Sequence, residues 1–224
     1  NVSTIPKALA TKRLSIVTGA HVKRVEVDEK GRVTGVSYSK EGQDYFQPAQ
    51  AVLLGGYVYE NVRLLLLSKS KLFPQGLSNN RGQVGRHYFS HNQAASVLAL
   101  FPSDINNWYG LPAQGVGVDN WADDNFDHGG LDFIGGVNLW IMSQRRPIAA
   151  ASTTTFGKAK GWGSDWKAFV MRNADRTHRA YMQKTTLPYE DNYLDLDPAV
   201  KDPLGDPVIR ITADLKENEK RVAA

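Results

Sequence analysis

Hydrophobic residues change their spacing several times along this chain, and each change marks an element. Residues 7–12 carry a short helical pattern. "LSIVT" (14–18) is a compact apolar run of strand type. "HVKRVEVD" alternates Val22, Val25 and Val27 imperfectly, and "RVTGVSYS" alternates Val33 with Tyr38 nearby. These three runs predict a β meander, with Glu29-Lys30-Gly31 as a hairpin turn in which glycine supplies positive φ. Residues 50–54 predict a short, fully buried strand. Residues 60–70 predict a helix with Asn61 near its start, and Leu64, Leu65, Leu66 and Leu67 pack it against a sheet.

The pattern then breaks. Pro74, Gly76, "SNNRG" and Gly85 punctuate residues 73–92 as loop, and the shift in composition places a domain boundary near Arg86. Residues 93–101 return to strand periodicity. The stretch 106–136 is rich in Gly, Asn, Asp and aromatics with few periodic apolar positions, which in a compact domain points to function or to packing on a partner. "KAFVMRNADRTHRAYMQK" mixes helical and strand spacing, "NYLDLD" alternates, and "DPVIRITADL" is a strand reached through the turn residues Pro203, Gly205 and Pro207. Strands and helices in this order predict an α+β fold.

Composition narrows the function classes. At 224 residues the chain fits one large domain, or one domain and part of another. A hydrophobic content of 42% with 22% charged residues is that of a globular protein. The net charge of +4 is spread among acids rather than gathered in a stripe, which argues against nucleic acid as a partner. No run approaches the ~20 apolar residues of a membrane span. With no cysteine there is no disulfide framework, thiolate metal site or cysteine nucleophile. The chain begins at Asn1 and stops within the helical pattern "LKENEKRVAA", as a piece of a longer protein would.

Several residue sets carry candidate chemistry. Gly55-Gly56 ends a strand and opens a helix, where missing side chains let a flat ligand or another chain segment approach the backbone. An ordinary strand-to-helix turn uses the same residues, and no G-x-G-x-x-G stands anywhere in the chain. His87 and His91 are four apart, but "GRHYFSHN" follows a loop and brings no acid, so no metal site is assigned there. "DDNFDHGG" offers Asp123, Asp124, Asp127 and His128, yet fails the calcium-loop template and reads either as solvated loop charges or as a network closing its own loop. A G-x-S-x-G elbow is missing. Trp108, Trp121, Trp140, Trp162 and Trp166 crowd the second half, in a density that suits sugar stacking and ordinary packing alike.

The order of three segments is more specific. "HVKRVEVDEKGRVTGVSYSKEGQ", "AVLLGGYVYENVRLLLLS" and "GQVGRHYFSHN" together resemble the middle of the glucose-methanol-choline oxidoreductases, and within them the flavoprotein subunits of bacterial gluconate, fructose and glucose dehydrogenases. "DNFDHGGLDFIGG", "GWGSDWK" and "LPYEDNYLDLDPAVKDPLGDPVIRIT" look like the same subgroup. The chain departs from the wider family at the glycine turn, with Gly55-Gly56-Tyr57 for Ala-Ala-Gly and Glu60-Asn61-Val62 for Glu-Ser-Pro. The family's dinucleotide fingerprint and its catalytic histidine do not occur in the chain.

The resemblance implies an FAD-dependent oxidation of CH–OH groups in a sugar, polyol or sugar acid, with the hydride passed to flavin N5. It implies a partial FAD-binding domain over residues 1–86 and a substrate-binding domain over 87–224, the latter built on a largely antiparallel sheet with helices on one side. Val22, Gly55, Gly56 and Asn61 are the implied cofactor contacts. His91, Asn92 and Asn192 are the implied substrate contacts, and no residue of the chain is assigned the catalytic step. The resemblance implies a cytochrome c or a small accessory subunit as partner, a cytochrome or quinone as electron acceptor, and a periplasmic or membrane-associated setting in place of a cytoplasmic one. The competing readings are a non-enzymatic, β-rich carbohydrate-binding module that holds no flavin, and a cytoplasmic family member whose substrate is not a sugar.

Overall fold

Asp28 closes the turn that starts the first sheet. Its Oδ1 accepts the N–H groups of Lys30 (2.8 Å) and Arg32 (2.9 Å), and Gly31 takes φ +77°. The flanking strands β1 (Ala20–Val27) and β2 (Val33–Lys40) pair antiparallel, with register irregularities after Val22 and after Glu26. A third strand, β3 (Gln43–Pro48), pairs with β2 and completes the order β1-β2-β3. Tyr38 and Tyr45 stack across that pair at 5.3 Å, a contact type that contributes about 1 kcal/mol.

This computed structural model describes residues 2–106, 115–142 and 161–223. The fold is α+β, with antiparallel sheets and four helices among the described residues. The chain forms two compact units. One comprises Asn1–Tyr88 and Tyr189–Ala213, the other Phe89–Pro188 and Asp214–Ala224.

In the first unit, helix α1 (Thr4–Ala10) precedes the sheet and helix α2 (Tyr57–Leu67) packs on β1. The hairpin of β8 (Tyr193–Lys201) and β9 (Pro207–Thr212) packs on α2 as well. Two buried polar side chains of the helix region make these junctions. Ser68, 3% exposed, accepts the Val25 N–H (2.9 Å) while donating to the Leu64 carbonyl (2.6 Å), which ties the end of α2 to β1. Arg63, 6% exposed, donates to the Pro207 carbonyl (2.8 Å) and to Asp202 (2.6 Å), which ties the helix to the β8–β9 turn. Gly85 lies so close to β8 that a Cβ there would meet the Leu194 carbonyl oxygen at 2.1 Å. Ser68→Ala should cost about 1–3 kcal/mol, because the Val25 N–H is left buried without its acceptor. A denaturant midpoint that does not move would remove this tie.

The second unit holds a four-stranded antiparallel sheet in the order β4-β7-β6-β5. Its strands are β4 (Asn92–Leu100), β5 (Gly115–Val118), β6 (Val137–Met142) and β7 (Thr177–Lys184). Helix α3 (Gly163–Asn173) and a 3-10 turn (Ala174–Arg176) lead into β7, and helix α4 (Glu217–Ala223) packs on β4 and β7. No helix among the described residues is long and apolar enough to cross a membrane.

Four expectations from the pattern need correction. "LSIVT" is not a strand, and the meander's third member is β3, whose six residues are all exposed and carry no burial signal. Residues 50–54 form no strand, and they are not fully buried: Leu53 is 97% exposed. Helix α2 begins at Tyr57, three residues before Glu60. The stretch 106–136 contains β5, a four-residue strand of alternating Gly and Val too short to register as periodic. Residues 107–114, with Trp108, lie outside the described residues.

Candidate functional site

Asn61 shapes the turn at the start of α2. Its Oδ1 accepts the Gly56 N–H at 2.9 Å and its Nδ2 donates to the Leu54 carbonyl at 3.5 Å, so one side chain bonds both ends of the Leu54–Gly56 stretch. Gly56 occupies the N-cap position and has no side chain to cap with; Asn61 holds the turn from within the helix. Tyr57 follows at φ +71°, a region that bulky residues rarely adopt. Its ring packs edge-on to Tyr59 at 5.2 Å, and the Tyr59 hydroxyl shares a 2.6 Å hydrogen bond with Tyr88 that pushes its pKa up to about 12.

The turn leaves the backbone of Gly55 exposed. A Cβ added at Gly55 would meet no atom within 4 Å. Beside it lies a cleft of about 400 Å³. Strand β1 contributes His21 and Val22 to its lining, β2 contributes Val36, and α2 contributes Glu60, Asn61 and Leu64. Val52, Leu53 and Leu54 complete it together with the glycine pair. The structure thus brings Val22, Gly55, Gly56 and Asn61 to one cleft from three separate elements. Aliphatic side chains next to uncovered peptide groups suit a planar heterocycle, which stacks on the former and hydrogen-bonds to the latter.

A cluster absent from the sequence-based expectations adjoins this cleft. His21, Asp202 and Asp206 bring one possible ligand atom each within 4.8 Å of one another. Asp202 is already engaged: Oδ2 takes the Arg63 guanidinium, and Oδ1 accepts the Leu204 (2.9 Å) and Asp206 (3.0 Å) N–H groups. The Arg63 hydrogen bond holds the Asp202 carboxyl below its ordinary range, against the opposing effect of desolvation. With its oxygens so occupied, Asp202 serves the ion pair that anchors α2 rather than a metal ion.

The expected substrate contacts divide between the two units. His91, exposed, places Nδ1 against the Gln183 amide just before β4. Asn92 opens β4 and donates to Thr186 Oγ1 (3.2 Å) and the Ser90 carbonyl (3.3 Å). Asn192 belongs to the other unit, 4% exposed, where its carbonyl accepts the Tyr88 N–H at 2.8 Å. The acidic loop at 123–128 closes on itself: His128 Nε2 meets the Asp123 carbonyl and Asp127 accepts the Gly129 N–H (2.8 Å).

Comparison with known proteins bears on what this cleft serves. The chain is similar to the gluconate 2-dehydrogenase flavoprotein of Pantoea cypripedii, 34% identical over 228 residues that cover all of the chain and 36% of that protein. It is similar to the 2-methyl-1,2-propanediol dehydrogenase of Mycolicibacterium austroafricanum, 24% identical over 92% of the chain and 37% of that protein. It is also similar to the fructose dehydrogenase large subunit of Gluconobacter japonicus, 26% identical over 93% of the chain and 37% of that protein. No family model matches the chain. Its relatives are dehydrogenases, one of them named a flavoprotein, and the chain spans a little over a third of their length.

Arg63 and Ser68 were not singled out from the sequence. The available signal was a charged and a hydroxyl residue flanking an unbroken leucine run, where a buried polar group requires a partner.

Proposed function

We propose that the chain is part of an FAD-dependent dehydrogenase of the glucose-methanol-choline oxidoreductase family, oxidising CH–OH groups of a sugar, a polyol or a sugar acid. The similarity along the whole chain to a gluconate 2-dehydrogenase flavoprotein carries this reading. Residues 1–86 then contribute to the FAD-binding domain and residues 87–224 to the substrate-binding domain. The cleft of Val22, Gly55, Gly56 and Asn61 supports the cofactor side, since its lining fits one ring system of a dinucleotide. When bound, the flavin supplies the hydride acceptor. The chain's own residues bind and orient: the exposed backbone at Gly55 meets the cofactor, and His91 and Asn92 offer hydrogen bonds to substrate hydroxyls. A cytochrome or a quinone takes the electrons onward, with a cytochrome c or a small accessory subunit as partner, in a periplasmic or membrane-associated setting.

The test is the full-length protein that carries this chain. It should purify yellow and lose its flavin absorbance on anaerobic addition of D-gluconate, D-fructose or 2-methyl-1,2-propanediol. A colourless full-length protein would sink the reading and favour a carbohydrate-binding module. Gly55→Val places its Cβ where no atom now lies within 4 Å, so the turn accepts it, while its methyl groups narrow the cleft. It should weaken flavin retention about tenfold, or ~1.4 kcal/mol, with the melting temperature of the flavin-free protein unchanged. Equal retention in equilibrium dialysis would remove Gly55 from the cofactor site.

A further inference from the structure

One face of the β4-β7-β6-β5 sheet carries two polar atoms that the fold buries and leaves unmet. Arg179 Nε, a donor, and Asn138 Oδ1, an acceptor, are both buried without a hydrogen-bond partner. Alternation along β7 puts Arg179, Tyr181 and Gln183 on the same face. Asn138 pairs directly with Gln183 and Trp140 directly with Tyr181, so both residues of β6 join that face. The Arg179 guanidinium leans over the Tyr181 ring, 5.6 Å from its centre. At the other end of the row Gln183 meets His91. Trp140 remains 44% exposed.

Native folds seldom leave such groups unmet, because a buried donor or acceptor without a partner forfeits its hydration. The two orphans are complementary to one class of molecule. An arginine N–H calls for an anionic oxygen, which a carboxylate presents in the geometry the guanidinium fork matches. An amide oxygen calls for an O–H. Between them, the 44% exposed Trp140 offers a ring face suited to the C–H surface of a carbohydrate. No acidic side chain stands on this face among the described residues of β4, β6 and β7. Arg179 and Gln183 are four strand positions apart, ~13 Å between their Cα atoms, and the tilt of Arg179 over Tyr181 shortens the gap its head group leaves.

We infer that this sheet face binds a polyhydroxy carboxylate, with Arg179 holding the carboxylate and Asn138 and Gln183 the hydroxyls. The inference rests on the dehydrogenase reading and deepens it, since it makes a sugar acid rather than a neutral sugar the preferred substrate. Arg179 is then a specificity residue.

The experiment compares D-gluconate with D-glucitol, which replaces the carboxylate by a hydroxymethyl group, in the full-length protein and its Arg179→Gln and Arg179→Lys variants. Both kcat/KM and calorimetric affinity are measured. Arg179→Gln should reduce the preference for the acid at least tenfold, chiefly through KM, and Arg179→Lys should restore part of it. Raised salt should weaken gluconate binding in the parent protein more than in Arg179→Gln. A variant in which gluconate and glucitol lose equally, or neither loses, overturns the inference. The two readings fail separately. Gluconate binding that depends on Arg179 in a protein without flavin would sink the dehydrogenase and keep the site, whereas flavin reduction by gluconate with the preference intact in Arg179→Gln would do the reverse.

Discussion

Glu219→Gln is expected to lower the melting temperature of the protein by roughly 6–12 °C, the equivalent of about 3 kcal/mol in a chain of this size. Glu219 is fully buried, and each of its carboxylate oxygens has a separate task. Oε1 accepts the Leu187 N–H at 2.9 Å and Oε2 accepts the Lys216 N–H at 3.1 Å. The second bond is one half of a capping box, in which the third residue of a helix reaches back to the N–H at its start. The first ties the chain leaving β7 to the same helix. Lys184, 8% exposed, donates to the Glu219 carbonyl at 2.9 Å. Glutamine keeps the shape but turns one acceptor into a donor, so one buried N–H faces an NH2 group. Helix α4 has only seven residues and little propensity of its own to fall back on. A thermal melt reads the effect. A shift under about 2 °C would show that solvent or rearrangement replaces these bonds.

The sequence-based reading succeeded where the signal is local. The Asp28–Gly31 turn, β1, β2, β4 and the helix after Gly56 follow from turn chemistry and periodicity. It failed where burial depends on partners. Residues 14–18 and 50–54 have the continuous apolar character of strands covered on both faces, but a strand also needs a neighbouring backbone, and none of the described strands pairs with either run. β3 shows the converse: it is all exposed and pairs fully with β2. The convergence of Val22, Gly55, Gly56 and Asn61 on one cleft was legible only through the resemblance, since no spacing rule links β1 to the start of α2. What Asn61 does there was not legible at all, because its bonds run to backbone groups. The face with Arg179 and Asn138 was equally hidden. It depends on the register of β6 with β7, two strands separated by helix α3, and "VNLWIM" had not been marked as a strand.

Arg63→Met is expected to lower the melting temperature by roughly 10 °C at neutral pH, because it strands the Asp202 carboxylate beside a packed helix and removes the donor to the Pro207 carbonyl. The pair closes at 2.6 Å with the guanidinium 7% and the carboxylate 15% exposed, unlike the surface pairs Lys23–Asp44 and Lys220–Glu217, whose loss should be barely measurable. The effect carries a pH signature. Arg63 depresses the folded-state pKa of Asp202 below the unfolded value of about 3.9, so the ion pair's stabilisation is fully present above that value and fades as pH falls through the folded one. As the pH falls from the unfolded value through the depressed folded one, Asp202 takes up a proton, the parent protein loses the pair, and the variant is relieved of its stranded charge. The two melting temperatures should therefore converge in acid. Arg63→Lys retains the charge without the fork that reaches both Asp202 and Pro207, and should fall between them. Melting curves from pH 3 to pH 7 decide the matter: a gap that stays constant across that range would assign the loss to side-chain packing and not to the ion pair.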